Sequence, residues 1–194
     1  MGAVMVFHDV TEARHMTHEL EYQAAHDSLT GLINRNEFSR LLYQFRQDVN
    51  RKNRTHALLY IDLDQFKVVN DTCGHAAGDA LLQQLSHLIT DDLRRGDVFA
   101  RLGGDEFGIL LNECPVDIAT EIADTIRRTV EQFRFVWEEN TFSVGASIGI
   151  VSINAESAEA EILMRQADEA CYSAKEHGRN RLHVFTEDDD NLNI

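Results

Sequence analysis

Acidic side chains gather at two points that lie far apart in the chain. Asp62 and Asp64 close a short apolar run at 57–61, and Asp105-Glu106 follow two glycines at the tip of an expected hairpin. A two-residue hairpin turn requires at most one Asn-Gly or Asp-Gly pair, so folding alone does not explain the second glycine and the second acid. One acid at a turn is usually solvated surface, but an acid pair after Gly-Gly indicates a function.

Converging carboxylates suit a hard divalent cation. Mg²⁺ accepts one or two carboxylates and completes its shell with water and substrate phosphates. The paired glycines allow a phosphate or a base to approach the backbone at a point where a Cβ would clash. The pattern therefore favours metal-assisted chemistry on a phosphorylated ligand over a plain acidic turn.

The apolar pattern predicts the elements that position these acids. A short continuous apolar run at 57–61 indicates a central strand, and residues 66–94 have the spacing of one helix that stops before Gly96. From this strand onward the order is β-α-β-β-α-β, followed by an extra helix and strand. The other expected elements are a helix after Asn34, strands at 97–102 and 107–111, a helix after Pro115, a strand at 142–150, a helix at 157–177 and a strand at 182–185.

This order predicts the fold class. We expect an α+β domain with a ferredoxin-like or palm-type βαββαβ core, an extra C-terminal helix and strand, and a mostly antiparallel central sheet flanked by helices. The first strand of such a core lies antiparallel beside the third. Asp62 should therefore lie next to Asp105 and Glu106 in the folded chain.

Composition limits the partners of the chain. Its 194 residues include 33 acidic and 18 basic ones, for a formal net charge of −15. This charge repels nucleic acids and anionic membranes at long range, so we expect neither a nucleic acid polymer nor direct membrane contact. A small anionic ligand stays compatible, because a metal or a local basic cluster acts at short range.

Cysteine usage and hydropathy indicate the compartment. Cys73, Cys114 and Cys171 form no CxxC pair, which is typical of a reducing cytoplasm and argues against a zinc site or a disulfide framework. No apolar run approaches the roughly 20 residues that a membrane-spanning helix requires. We expect this segment in the cytoplasm, while a parent protein could be attached to a membrane.

A series of ordered motifs resembles the GGDEF family of diguanylate cyclases. The motifs are HDSLTGLINR at 26–35, DLDQFK at 62–67, ND at 70–71, GH at 74–75, GD at 78–79, RLGGDEF at 101–107 and AKEHGRNR at 174–181. The resemblance covers about residues 22–187. It implies condensation of two GTP molecules into cyclic di-GMP with release of two pyrophosphates.

The resemblance implies a role for each acid of the cluster. Asp62 and Asp105 would hold Mg²⁺, for which Mn²⁺ can substitute, with the Leu63 carbonyl as a further ligand. Glu106 would lie at a second metal or assist removal of the proton from the attacking 3′-hydroxyl. Asp105, Glu106 and Asp62 are thus the expected catalytic residues.

The resemblance also implies a nucleotide site. Asn70 and Asp79 would read guanine, since a carboxylate accepts from its N1–H and exocyclic amine, a donor pattern that adenine lacks. Lys175 and Arg179 are four residues apart around an expected helix end, so both can reach one face. The expected phosphate-binding residues are Phe66, Lys67, Gly103, Gly104, Lys175 and Arg179.

The symmetry of the implied product requires two copies of the chain. One domain holds one GTP, so two active sites must face each other in a homodimer. Arg94 and Asp97 match the RxxD motif at which the product binds and inhibits in this family. A strand at 97–102 places that motif about 20 Å from the hairpin, at the opposite end of the strand.

The resemblance extends to the domain organisation. Residues 1–11 are similar to the closing strand of a PAS sensor domain, and residues 12–26 predict a connector helix that could set the dimer. The GGDEF domain is expected at 22–187. Residues 188–194 resemble a linker toward a downstream EAL phosphodiesterase domain.

Three other functions fit part of the pattern. A non-catalytic GTP-binding GGDEF domain could regulate an adjoining phosphodiesterase, although loss of the acids is the usual sign of that role. A cyclic di-GMP receptor would need only Arg94 and Asp97. Another palm-type cyclase or a polymerase shares the fold alone, and the acidic surface speaks against a polymerase.

Overall fold

The computed structural model describes residues 19–52 and 54–186. The predicted strand at 1–11, the first part of the predicted connector helix and the predicted linker at 188–194 lie outside the described residues, while residues 19–25 are helical. The helices that follow are α1 (Arg35–Lys52), α2 (Phe66–Cys73), α3 (His75–Asp91), α4 (Val116–Gln132) and α5 (Ala160–Glu176). The strands are β1 (Ile33–Asn34), β2 (His56–Asp64), β3 (Val98–Gly103), β4 (Glu106–Leu111), β5 (Phe135–Trp137), β6 (Asn140–Phe142), β7 (Gly145–Ile153) and β8 (Leu182–Val184).

The main sheet confirms the predicted fold class. Its strand order is β1-β3-β4-β2-β7-β8. The pairs β3–β4, β4–β2 and β2–β7 are antiparallel, and the edge strands β1 and β8 pair in parallel. The four inner strands therefore form the predicted ferredoxin-like core, in which the first strand lies antiparallel beside the third. No helix of the described part of the chain is long and apolar enough to cross a bilayer.

Strand β2 is buried on both faces, which explains its continuous apolar run. Leu59 and Ile61 lie in the layer covered by α3 and α4. Leu58 and Tyr60 lie in the opposite layer, which α1 and α5 cover. Because side chains alternate along a strand, the even-numbered acids that end β2 are directed toward the α1 and α5 side of the sheet.

The prediction of one continuous helix at 66–94 is wrong, because the chain forms two helices there. Gly74 interrupts it with a φ of 82°, a backbone conformation that glycine adopts without steric cost. The Gly74 N–H still donates to the Asn70 carbonyl at 2.8 Å and closes α2. The break lets α3 start in a new direction, so α2 and α3 pack against each other.

The sequence pattern also missed a small hairpin before β7. Phe142, predicted within a strand at 142–150, ends β6 instead, and β7 starts at Gly145. The Phe135 ring centroid lies 6.0 Å from that of Trp137 and 6.4 Å from that of Phe142. Phe142 thus packs within a separate two-stranded sheet, which hydrophobic alternation along β7 could not indicate.

Helix α5 approaches β7 very closely at Gly149. A Cβ at this position would lie 2.1 Å from the Ala167 carbonyl oxygen and 2.4 Å from the Cys171 nitrogen. Both atoms belong to the helix backbone, so no side-chain rotation could relieve the clash. The absence of a side chain at Gly149 therefore sets the position of α5 on the sheet.

Replacing Gly149 with alanine should force α5 away from β7 and lower the free energy of unfolding by about 3 kcal/mol, the upper part of the usual cost of overpacking. Urea unfolding measures the change. Ser152→Ala on the same strand is the matched control and should stay within about 0.5 kcal/mol of the parent chain. Equal stability of the Gly149 variant and the parent would contradict this packing.

Candidate active site

The hairpin between β3 and β4 brings the separated acids together. Asp62 lies directly opposite Glu106 in the β2–β4 register, and the Leu63 N–H donates to the Asp105 carbonyl at 3.2 Å. The β3–β4 pairing shifts register just before Gly103, and Gly104 has a φ of 51°. The second glycine thus supplies a left-handed residue that turns the acid pair toward β2.

An arginine holds this hairpin in place. Arg101 donates from Nε and Nη2 to the Gly104 carbonyl at 3.0 and 2.9 Å, and from Nη1 to the Asp27 carboxylate at 3.2 and 3.3 Å. Burial raises the pKa of Asp27, but hydrogen bonds from Thr30 and the charge of Arg101 outweigh it and hold that pKa below its usual range. Both residues lie within the quoted motifs, yet sequence reasoning assigned neither a role.

Lysine 175 lies within the acid cluster. It is in the last turn of α5, and its Nζ atom is 2.6 Å from Asp62 Oδ2. Burial lowers the pKa of Lys175, but the hydrogen bond and charge of Asp62 outweigh burial and raise it. The lysine is therefore a protonated, half-buried cation beside the predicted metal ligands.

The carboxyl groups are held together against their mutual repulsion. Burial raises the pKa of Asp62, Lys175 offsets part of this effect, and the charges of Asp105 and Glu106 add to it. Burial also raises the pKa of Asp105; its own backbone N–H and Lys175 oppose the rise, and Glu106 adds to it. A cluster of partly buried carboxyl groups that repel one another favours a bound cation.

The carboxylates do not make up a metal site from protein side chains alone. Within the described ranges, no three His, Cys, Asp or Glu side chains are grouped so that they could hold a metal ion by themselves. Mg²⁺ does not require such a group, since it commonly uses one or two carboxylates and takes further oxygens from water and phosphates. The donors at this site are oxygens only, which fits a hard cation.

The two predicted guanine-reading residues lie on the adjacent helices α2 and α3. Asn70 Oδ1 is buried and has no hydrogen-bond partner among the described residues. A Cβ at Gly78 would lie 2.0 Å from that oxygen, so only glycine leaves room for the amide. Asp79 is exposed on the next position of α3. A buried acceptor without a partner is rare in proteins and calls for a ligand or a water.

The predicted phosphate-binding residues come from three elements. Phe66 is buried and Lys67 exposed at the start of α2, where no side chain caps the helix. The hairpin glycines 103 and 104 are exposed. Arg179 lies beyond α5, which ends at Glu176, so it reaches the end of β2 through a loop and not along a helix face as its spacing from Lys175 predicted.

The predicted inhibitory motif lies at the other end of β3. Asp97 accepts from the backbone N–H of Arg94 and of Asn112, each at 3.0 Å. This carboxylate therefore organises the turn before β3, while the Arg94 side chain is exposed. The structure brings the two predicted residues together and separates them from the acid cluster by the length of β3.

Comparison with known proteins identifies the family. A family model described as "Diguanylate cyclase, GGDEF domain" matches residues 24–181. The chain therefore belongs to the GGDEF family of diguanylate cyclase domains. The matched region includes every predicted site residue and all of the described strands except β8.

Individual relatives differ in their described activity. The chain is 50% identical over 185 residues to the probable diguanylate cyclase DgcE of Escherichia coli K12, covering 95% of this chain and 17% of that protein. It is 34% identical over 195 residues to the cyclic di-GMP phosphodiesterase PdeB of Shewanella oneidensis, covering 99% and 22%. The chain thus spans about a fifth of the length of these two curated relatives.

A solved structure has the same fold. The coiled coil and GGDEF domain of DgcB from Caulobacter crescentus, in complex with c-di-GMP, superimposes with a TM-score of 0.84. The two sequences are 25% identical, and the match covers 90% of this chain and 93% of that chain. The mixed α+β fold with its mostly antiparallel sheet is therefore the fold of GGDEF domains.

Replacing Asp105 with asparagine should raise the free energy of unfolding at pH 7 by about 1 kcal/mol, a change typical of relieving an unfavourable functional site. Folding raises the pKa of this carboxyl above its ordinary 3.8, so the folded state binds more protons and loses stability as the pH rises from that value. The advantage of the variant should be full at pH 7 and shrink toward pH 4. Urea unfolding at several pH values measures both effects.

Glu121→Gln, on the exposed face of α4, is the control. It should change the free energy of unfolding by less than about 0.5 kcal/mol at either pH. A loss of stability in the Asp105 variant at pH 7 would contradict the repulsive cluster.

Proposed function

We propose that the chain is an active diguanylate cyclase that condenses two GTP molecules into cyclic di-GMP and releases two pyrophosphates. The observation that carries this proposal is the convergence of Asp62, Asp105 and Glu106 at one end of the sheet, with Lys175 beside them. A structural role alone would not require three acids whose repulsion and burial raise the pKa of two of them. Membership in the GGDEF family supports the same conclusion.

The residues present fit a magnesium ion, for which manganese can substitute. The Asp62 and Asp105 carboxylates and the Leu63 carbonyl would hold it, and Glu106 would lie at a second ion or take the proton of the 3′-hydroxyl. When bound, the metal would lower the pKa of the attacking hydroxyl and stabilise charge on the α-phosphate and the leaving pyrophosphate.

The chain's own residues would bind and orient the nucleotide. The buried Asn70 Oδ1 lacks a partner in the described chain and could accept a hydrogen bond from guanine, with Asp79 accepting from its other donors. Lys175 stays protonated at neutral pH and could pair with the β- or γ-phosphate. Arg179 and the uncapped N–H groups of Phe66 and Lys67 would bind the remaining phosphate oxygens.

Catalysis would require a homodimer, because each domain holds one GTP. The 3′-hydroxyl of each nucleotide must meet the α-phosphate bound by the other copy, which a two-fold axis between the sites achieves. The exposed position of the Gly103-Gly104 hairpin supports this arrangement, since nothing in the described chain covers it. Cyclic di-GMP would bind the RxxD motif and inhibit.

A second candidate is a non-catalytic GTP-binding domain that regulates an adjoining phosphodiesterase. The observation that favours it is the 34% identity with PdeB, which is described as a cyclic di-GMP phosphodiesterase and is much longer than this chain. The acid cluster is complete, which favours an active cyclase over this regulatory role.

Product formation from GTP with Mg²⁺ by the purified chain, freed of bound cyclic di-GMP, tests the proposal. We expect cyclic di-GMP to form with a steeper than linear dependence on enzyme concentration, because the active species is a dimer. Asp105→Asn should lower the rate by at least about 100-fold, as expected for losing a group that stabilises transition-state charge. ATP in place of GTP should give no cyclic dinucleotide.

Binding of GTP without turnover, at high concentration and in a chain fused to a dimerising coiled coil, would favour the regulatory function. Turnover that stays linear in enzyme at concentrations where the chain is monomeric would contradict the dimer. The urea unfolding of Asp105→Asn, measured in parallel, tests whether a loss of rate is a loss of folding.

Arg94→Ala should raise the inhibition constant for cyclic di-GMP by about tenfold or more, the effect expected from losing one charge-assisted pair. The rate without added product should not change. We choose Arg94 over Asp97 because Asp97 also holds the turn by accepting from the backbone N–H groups of Arg94 and Asn112. Replacing Asp97 would therefore disturb the fold as well as the motif.

Arg95→Ala is the matched control, since Arg95 is the exposed neighbour at a variable position of the RxxD motif. It should leave the inhibition constant within about a factor of three, as surface charges usually contribute little. An unchanged constant in Arg94→Ala would exclude the RxxD motif as the inhibitory site.

A further inference from the structure

The second acid of the Asp62-Leu63-Asp64 sequence has no role in the mechanism above, yet it is almost completely buried. Asp64 is 6% exposed at the end of β2. Its carboxylate accepts from Ser147 Oγ at 2.9 and 3.1 Å and from the Asn180 N–H at 2.8 Å. Burying a carboxylate costs free energy unless such donors compensate the charge. A buried acid at this position therefore requires an explanation.

The loop that Asp64 contacts has an unusual backbone. Gly178, Arg179 and Asn180 have φ values of 117°, 61° and 46°. Only glycine adopts this region at no cost, and two of the three residues are not glycine. Such a run of left-handed residues persists only where its surroundings hold it.

Two contacts hold the loop from opposite sides. Asp64 binds the backbone N–H of Asn180, and the Asn180 Nδ2 donates to Glu131 Oε1 at 2.7 Å. Glu131 in turn pairs with Arg127 at 3.0 Å. Asn180 therefore links the end of β2 to the end of α4.

The sheet leaves space for this loop at Gly145. A Cβ at Gly145 would lie 3.1 Å from Asp64 Oδ2 and 3.2 Å from the Asn180 Cβ. Glycine at the start of β7 thus lets the loop approach the carboxylate. Ser147, two residues further along β7, is fully buried and donates its hydroxyl to the same group.

The residue that this arrangement orients is Arg179. Its Nε atom lies 4.0 Å from Asp64 Oδ1, while most of its side chain is exposed. The two acids at the end of β2 thus face two cations: Asp62 contacts Lys175, and Asp64 faces Arg179. Asp64 differs from Asp62 in that its oxygens are bound by serine and backbone donors of the protein.

We infer that Asp64, fixed by Ser147, is a positioning residue that holds the 178–180 loop and aims Arg179 at the terminal phosphates of the nucleotide. The inference rests on the proposed nucleotide site and adds a residue to it. Asp64 acts through Arg179 and contacts neither the base nor the ribose. Its loss should therefore weaken triphosphate binding selectively.

Nucleotide binding by calorimetry in the presence of Mg²⁺ tests this inference without turnover. The ligands are 3′-deoxy-GTP and 3′-deoxy-GMP, which lack the attacking hydroxyl and share the base. Asp64→Asn keeps the shape of the side chain and an acceptor oxygen but removes the charge. We expect it to weaken 3′-deoxy-GTP binding by about tenfold and to change 3′-deoxy-GMP binding less than about twofold.

A double-mutant cycle shows whether Asp64 acts through the arginine. Arg179→Ala should also weaken 3′-deoxy-GTP binding selectively, and adding Asp64→Asn to it should cause little further loss, because residues that share one interaction are not additive. Ser147→Ala keeps the charge and should weaken triphosphate binding in the same direction by a smaller factor. It is the second variant if Asp64→Asn does not fold.

Each outcome decides the inference. Equal losses for both ligands, independent losses in the cycle, or unchanged triphosphate affinity in both the Asp64 and the Ser147 variants would overturn it. Failure of the parent chain to bind 3′-deoxy-GTP would instead reject the proposed function itself. Arg165→Ala, an exposed arginine on α5, is the control and should leave both affinities unchanged.

Discussion

The antiparallel pairing of β2 with β4 is the constraint on which the site depends. It places Asp62 opposite Glu106 and bonds the backbone of Leu63 to that of Asp105. A shift of one residue would turn every side chain of β2 to the other face of the sheet. Asp62 would then enter the apolar layer under α3 and α4. The apolar packing on both faces of β2 prevents this shift, so the core and the site are determined together.

Neighbouring cations stabilise the acid cluster because their charges offset part of the repulsion between its carboxylates. Lys175 contacts Asp62 from α5, while Arg101 holds the Gly104 carbonyl and Asp27 on the other side of the hairpin. These cations are carried by α5 and β3 and do not neutralise the acids completely. A divalent ion would compensate the remaining negative charge, so the stability of the domain and the proposed catalytic role impose opposite demands on Asp105.

The close contact of α5 with β7 connects the packing of the core to the proposed nucleotide site. Because Gly149 admits the helix backbone, the end of α5 reaches the end of β2. Lys175 and the loop with Arg179 are delivered there together, and Asp64 holds that loop. A displacement of the helix would therefore move both of the proposed phosphate-binding cations at once.

The sequence by itself determined the order of elements, the fold class and the convergence of Asp62 with Asp105, because strand pairing in a βαββαβ core follows from that order. Its motifs also indicated the family. Only the tertiary structure revealed the break at Gly74, the β5–β6 hairpin and the contacts of Asp64, whose bond to Ser147 joins residues 83 positions apart. Hydrophobic periodicity reports which side of an element is buried. It does not report which distant polar side chains meet there, since that depends on how closely the helices approach the sheet.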